Sequence, residues 1–182
     1  MKRLEDMTLE ELWELFPIIL TEPNPDWINW ANEEMSYLQE VLGGLIAKIS
    51  HIGSTAIRGI RAKPIIDIII ESGSGADFDI MKQKIIAAGY ICMNEADARV
   101  DLNKGYTAEG FADRVFHVHL RLKGDNDEIY FRDYLNSHPD VAREYEKLKL
   151  ALWKKYEHDR DGYTEAKSDF VRYYTSLAKA QS

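Results

Sequence analysis

The sequence predicts an α+β fold, a β-sheet flanked by helices and followed by a helical C-terminal region. Three observations carry this. Helix-like and strand-like apolar patterns alternate between residues 26 and 122, as when helices and strands share one core. The run Pro64-Ile-Ile-Asp-Ile-Ile-Ile-Glu71 is apolar on both faces apart from its carboxylates, which marks a central strand. Beyond Val141, apolar residues keep spacings of three and four, which are helical.

The elements follow in order. Thr8-Leu-Glu-Glu11 has the form of a capping box, in which hydroxyl and carboxylate satisfy each other's backbone donors. It opens a short helix carrying Leu12, Trp13, Leu15 and Phe16. Pro17, Pro23 and Pro25 then bend and extend the chain. A longer helix starts at Asp26, with Ile28, Ala31, Met35, Leu38 and Leu42 on one face, and Gly43-Gly44 stops it. Leu45 to Ile52 reads as a strand. Gly53-Ser54 turns the chain into a short helix that ends at Gly59, before the strand at Pro64–Glu71. Ile80, Met81, Ile85 and Ala88 mark a third helix, and Tyr90 to Met93 a strand that places Cys92 in apolar surroundings. Asn94 to Asp113, polar and glycine-containing, reads as strand ends and a mobile loop. Arg114 to Leu122 is a further strand. Asp127 to Leu135 is a shorter helix. Two long helices follow, on Val141, Tyr145, Leu148, Leu152 and Tyr156, then on Tyr163, Ala166, Phe170, Tyr173 and Leu177. The whole, residues 1–182, is expected to form one domain, with 1–25 as an N-terminal helical extension.

Composition excludes several classes. With 23 basic and 31 acidic residues the net charge is −8, which repels an extended nucleic-acid backbone but leaves room for a local phosphate pocket. No apolar run reaches the roughly 20 residues a membrane span needs. A single cysteine rules out an internal disulfide framework, and the first residues lack the apolar core of a signal peptide. A cytoplasmic location is expected.

The chemistry concentrates between His51 and Asp67. At the Gly53-Ser54 turn, glycine permits close backbone approach, the helix start offers free N–H groups, and Ser54 and Thr55 add hydroxyls, which together suit a phosphate. Alternatively, Ser54 only caps a helix. Asp67 stands inside an apolar run, where an ionised carboxylate costs several kcal/mol unless it is compensated. Beside a phosphate site it is a natural magnesium ligand. An ion pair with Lys63 or an arginine is the other reading. Period-two alternation puts Asp67, Ile69 and Glu71 on one face. Lys63 begins this strand near the same turn, and His51 ends the strand before it, placed either to meet phosphate or to hold structure by hydrogen bonds. His117-Val-His119 directs two imidazoles to one face. With Asp67 they would suit zinc, manganese or iron; without metal they would make hydrogen bonds. No Walker-type phosphate loop is present.

Four segments, His51-Ile-Gly-Ser-Thr-Ala-Ile57, Ala62-Lys-Pro-Ile-Ile-Asp67, Phe131-Arg-Asp-Tyr-Leu135 and Glu144-Tyr-Glu-Lys-Leu-Lys149, resemble the GrpB family of bacterial proteins, over about Asp26 to Tyr174. The resemblance implies a nucleotidyltransferase-like fold: a mixed sheet with a Gly-Ser turn and carboxylates on the next strand. No reaction is assigned to that family, and some relatives are fused to dephospho-coenzyme A kinase. The resemblance makes Lys149 and Lys167 candidate ligand contacts beside Lys63. It places Arg132 in a matched block too, although Arg132 and Asp133 also suit an internal ion pair. Two departures matter. Arg58 stands where proline is usual, and Ile69 stands where the wider superfamily has a second carboxylate.

The expectation is therefore a nucleotidyltransferase-like protein that binds a nucleotide or another phosphorylated small molecule through His51, Gly53, Ser54, Thr55, Lys63, Arg132, Lys149 and Lys167. Asp67 and Glu71 are the candidate catalytic carboxylates. A divalent ion, magnesium or manganese with zinc as a further option, is expected at Asp67, His117 and His119. Two alternatives accompany this: a non-catalytic module for a nucleotide or coenzyme A-like ligand, and a metal-dependent phosphohydrolase.

Overall fold

The computed structural model describes residues 2–182. In chain order it contains α1 (Leu9–Leu15), α2 (Asp26–Leu42), β1 (Ile46–Ile52), β2 (Ile65–Ser72), α3 (Phe78–Ala87), β3 (Ile91–Ala96), β4 (Arg99–Thr107), β5 (Gly110–Arg121), α4 (Asp127–Ser137), α5 (Pro139–Trp153) and α6 (Arg160–Ala180). The strands form one sheet in the order β1-β2-β5-β4-β3. Only β2 and β5 are parallel; the other neighbours are antiparallel. This is the mixed sheet with flanking helices and a helical C-terminal region that the sequence predicts.

Alternation along the strands sorts the two faces. Ile66, Ile68 and Ile70 of β2, Val118 and Leu120 of β5 and Val100 and Leu102 of β4 share a core with Ala31, Leu38 and Leu42 of α2 and Met81 and Ile85 of α3. Each fully buried isoleucine contributes about 1.5–3 kcal/mol, so this face fixes the register. A slip of one residue would turn the whole set outward. The opposite face carries Asp67, Asp101, Asn103, His117 and His119 and looks towards α5 and α6. A second core of Ile57, Ile60, Phe131, Leu135, Val141 and Tyr145 joins those helices to the chain around the Gly53-Ser54 turn. The residues before α2 add to the same side: Ile18 and Leu20 are buried with Tyr163, and Thr21 bridges Ala62. The Thr8–Glu11 capping box forms as expected. Among the described residues, no helix is long and apolar enough to cross a membrane.

Several expectations are corrected. The segment from Asn94 to Asp113 is no mobile loop: it completes β3 and supplies β4 and the start of β5, joined as antiparallel hairpins. Its polar residues belong to a one-sided strand, with Val100 and Leu102 inward and Asp101 and Asn103 on the other face. The helix after Gly53 is a single 3-10 turn, Ser54–Ala56. Ile28 and Ile80 are half exposed or more, while Trp27 is buried in place of Ile28. On α5 it is Lys149, not Leu148, that is fully buried. Cys92 lies on the edge strand β3, part-buried and packed against the main core as its apolar surroundings predict.

Candidate functional site

A cavity of about 1130 Å³ lies between the polar sheet face and helices α5 and α6. Its floor is a row of side chains set by strand register. Asp67 on β2 is level with His117 on β5, and His119 on β5 is level with Asp101 on β4. His119 donates from Nε2 to Asp67 Oδ1 at 3.1 Å and from Nδ1 to Asp101 Oδ1 at 2.9 Å. Arg121 donates to the same Asp101 oxygen at 2.7 Å. On the other side, His117 Nδ1 lies 3.5 Å from Asp67 Oδ1, and its Nε2 meets the Tyr106 hydroxyl at 2.7 Å. The result is a continuous chain from Tyr106 through His117, Asp67, His119 and Asp101 to Arg121.

The charges follow from these bonds. Burial opposes ionisation of Asp67, but hydrogen bonds from His117 and His119 outweigh it and hold the carboxyl well below the usual range. Burial alone would keep His119 neutral. Asp101 and Asp67, one on each ring nitrogen, reverse this and raise its pKa to about 9, so it is an imidazolium at neutral pH. Burial keeps His117 neutral despite its carboxylate neighbour.

Gly53 closes the turn directly over Asp67. Its φ is 74° and ψ −174°, a conformation for glycine, and a Cβ there would stand 2.5 Å from Asp67 Oδ2. The glycine therefore does more than admit a ligand: it lets the turn rest on the carboxylate.

The wall opposite is cationic. Lys63, Lys149, Lys167 and Arg160 all line the cavity. Lys63 and Lys167 lie 5.4 and 4.2 Å from the centre of the Tyr163 ring. Lys149 donates to the Arg61 carbonyl at 2.5 Å and lies over Tyr145, and Arg160 lies over Tyr106. Burial lowers the pKa of Lys63 to about 7, helped by repulsion from Lys167 and Arg160. Burial and Lys167 bring Lys149 to about 7, and burial brings Lys167 to about 8. Two polar atoms on this wall are buried without a partner, the Tyr163 hydroxyl and Arg160 Nε.

Of the residues singled out from sequence, Gly53, Ser54, Lys63, Asp67, His117, His119, Lys149 and Lys167 meet at this cavity. Four do not line it. His51 Nε2 bonds Thr55 Oγ1 at 2.8 Å, and burial lowers its pKa to about 4, so it is neutral. Thr55 is buried and donates to the Ile65 carbonyl. Arg132 pairs with Asp133 and donates to the His51 carbonyl at 2.7 Å, tying α4 to β1. Glu71 is buried and accepts from the Gly124 backbone and the Asn126 amide, both at 2.9 Å, which secures the loop after β5. The expected pairing of Asp67 with Glu71 in one centre is not built. Ile69, fully buried with Ile52 and Ile129, fills the space between them. Arg58, which stands where proline is usual, is exposed.

The donor set was also expected to hold a divalent ion. Asp67, His117 and His119 do converge, but they are engaged with one another. His119 meets Asp67 through Nε2 and Asp101 through Nδ1, so both of its ring nitrogens already have carboxylate partners. Among the described residues, no group of three or more His, Cys, Asp or Glu is disposed to hold an ion. As arranged here, these residues do not fit the expected metal.

Sequence reasoning missed Asp101, Arg121, Arg160 and Tyr163. Asp101 was readable: Val100 and Leu102 alternate with Arg99, Asp101 and Asn103, the period of a one-sided strand. Arg160 and Tyr163 reach the cavity only through the docking of α6, which no local pattern announces.

Comparison with known proteins places this geometry in a family. The profile described as GrpB protein matches residues 17–176. The glutamate-rich protein GrpB of Alkalihalophilus pseudofirmus is 36% identical over 164 residues, 85% of this chain and 91% of that protein. A crystal structure of the conserved protein GrpB from Enterococcus faecalis superposes with a TM-score of 0.78 at 28% identity, covering 90% of this chain and 98% of that one. A protein named dephospho-CoA kinase from Mycolicibacterium paratuberculosis is 27% identical over 181 residues, which is 86% of this chain but 44% of that protein.

Proposed function

The chain belongs to the GrpB family, and on that footing we propose that it binds a nucleotide or another phosphorylated small molecule in the cavity between the sheet and α5–α6. The observation that carries this is the convergence of Lys63, Lys149 and Lys167 on one cavity, Lys149 buried and the other two half-buried, with no ion pair to a carboxylate among the described residues. Buried like charges that lower one another's pKa destabilise the empty protein. An anionic ligand removes that cost. Ser54 lines the same space and offers a hydroxyl. The cavity volume also suits a nucleotide-sized ligand.

Binding is favoured over nucleotidyl transfer. Transfer of the kind the fold suggests needs carboxylates that share metal ions. Here Ile69 fills the second position, and Asp67 is held by two imidazoles. A coenzyme A-like ligand belongs among those to be tested, because proteins named dephospho-CoA kinase contain a related segment.

The test is a thermal-shift screen of nucleotides, coenzyme A precursors and phosphorylated sugars. A ligand at 100 times its Kd stabilises by about 2.7 kcal/mol, a rise of roughly 5–10 °C for a chain of this size. A ligand that acts on the native chain and loses its effect in Lys63→Met and Lys167→Met supports the proposal. If no phosphorylated compound raises the melting temperature, the proposal fails.

A further inference from the structure

We infer that the cationic wall accepts a chain of two or more phosphate groups and that its side chains, rather than a divalent ion, neutralise that chain. The inference rests on the phosphate-binding role proposed above. Six cationic side chains line the cavity; Lys179 pairs with Asp127 and Arg172 with Asp169, which leaves Lys63, Lys149, Lys167 and Arg160 without an ion pair among the described residues. Their neighbours are aromatic rings and a backbone carbonyl. Asp67, the carboxylate that attracts Lys63 and Lys167, is already shared by His117 and His119. A single phosphate monoester brings about 1.5–2 negative charges, which leaves roughly half of this wall uncompensated. A diphosphate or triphosphate matches it.

Two further observations point the same way. The Tyr163 hydroxyl lacks any partner although its residue is 0% exposed, and Arg160 Nε is buried and unpaired. Both belong to cavity-lining residues, and a buried donor without an acceptor is costly. The charge is also spread over three aromatic supports, Tyr163, Tyr145 and Tyr106, rather than focused at one point. An extended row of phosphate oxygens satisfies a spread wall; one phosphate does not. The usual alternative, magnesium held between a carboxylate pair and the phosphates, lacks its second carboxylate, since Ile69 is buried there.

The chemistry is shared by nucleoside di- and triphosphates and by free polyphosphate, and the experiment separates them. Orthophosphate, pyrophosphate and tripolyphosphate are titrated calorimetrically into the native chain in EDTA, followed by a nucleoside triphosphate. Each added phosphate is expected to tighten Kd about tenfold, as further charge-assisted hydrogen bonds form. Magnesium is expected to weaken binding by competing for the phosphates. Lys167→Met and Arg160→Gln should each flatten the series, costing tripolyphosphate more than orthophosphate. Both remove charge from a crowded wall, so folding is preserved and is checked by melting temperature. A nucleoside triphosphate that binds tighter than tripolyphosphate identifies a nucleotide; equal affinity identifies the polyphosphate itself. Equal Kd values for all three inorganic ions, or binding that requires magnesium, overturn the inference and leave the phosphate role standing. No binding of any phosphate compound overturns both.

Discussion

Replacing Lys149 by methionine should stabilise the empty protein at neutral pH, although a lysine is lost that is hydrogen-bonded. Lys149 is 2% exposed, and burial with repulsion from Lys167 brings its pKa from 10.5 to about 7. A lowered lysine pKa means that the unfolded chain binds the proton more tightly than the folded one. Below pH 7 both states carry the charge and the folded state bears the full cost. Between about 7 and 10.5 the folded lysine is neutral while the unfolded one remains charged, so stability rises with pH. At about 1.4 kcal/mol per pH unit, the full gap is worth about 5 kcal/mol. Losing the bond to the Arg61 carbonyl returns about 1–2 kcal/mol of that. The net expectation at pH 6 is a gain of about 3 kcal/mol, which shrinks as pH rises and becomes a small loss near pH 10.5. Urea denaturation of both proteins from pH 6 to pH 10 measures it. A difference that is destabilising at pH 6, or that does not vary with pH, would refute the reasoning.

Three further outcomes are expected. Gly53→Ala should lose about 2–4 kcal/mol of stability, because a Cβ 2.5 Å from Asp67 Oδ2 must displace the carboxylate and φ 74° is strained for alanine; chemical denaturation checks this, and a loss below 1 kcal/mol would show that the turn does not rest on Asp67. Asp101→Asn should lower the His119 pKa from about 9, read by NMR titration of the ring. A raised histidine pKa stabilises fully below about 6.5 and less as pH climbs through 9, so the variant should lose this contribution at lower pH than the native chain does; an unmoved titration would contradict the bonding described. Ile69→Asp, which places a second carboxylate two residues after Asp67, should cost about 3–5 kcal/mol, because the side chain is fully buried among Ile52 and Ile129. A near-native melting temperature would show that the position tolerates charge.

Much of this was legible beforehand, for reasons that can be stated. The apolar run of β2 and the capping box before α1 are local patterns, so they read directly. So do Gly53, Lys63, Asp67 and the His117–His119 pair, because each breaks the pattern around it. The cavity floor read less well. Asp101 was lost when a polar, one-sided strand looked like a loop. Glu71 shares the sheet face of Asp67, and nothing in sequence announces that Gly124 and Asn126 will claim it. Lys149 was a candidate only through the family resemblance, since a helix pattern does not say which polar residue a neighbouring element will cover. Arg132 sits in a matched block, yet its work is to tie α4 to β1. The misses share one cause: burial of a polar side chain is decided by partners distant along the chain.

The row across β2, β5 and β4 owes its spacing to backbone pairing alone. Asp67 beside His117 and His119 beside Asp101 are fixed by the same ladder that fixes the core on the reverse face. No loop stands between one member and the next. Three members of the cationic wall, Lys149, Arg160 and Lys167, arrive by contrast on α5 and α6, and their placement depends on how those helices dock. The two halves of the cavity can therefore change at different rates. Substitutions on the helices retune charge and ligand shape while the floor stays in place. Substitutions on the floor disturb the sheet itself. One half behaves as an adjustable jaw and the other as an anvil.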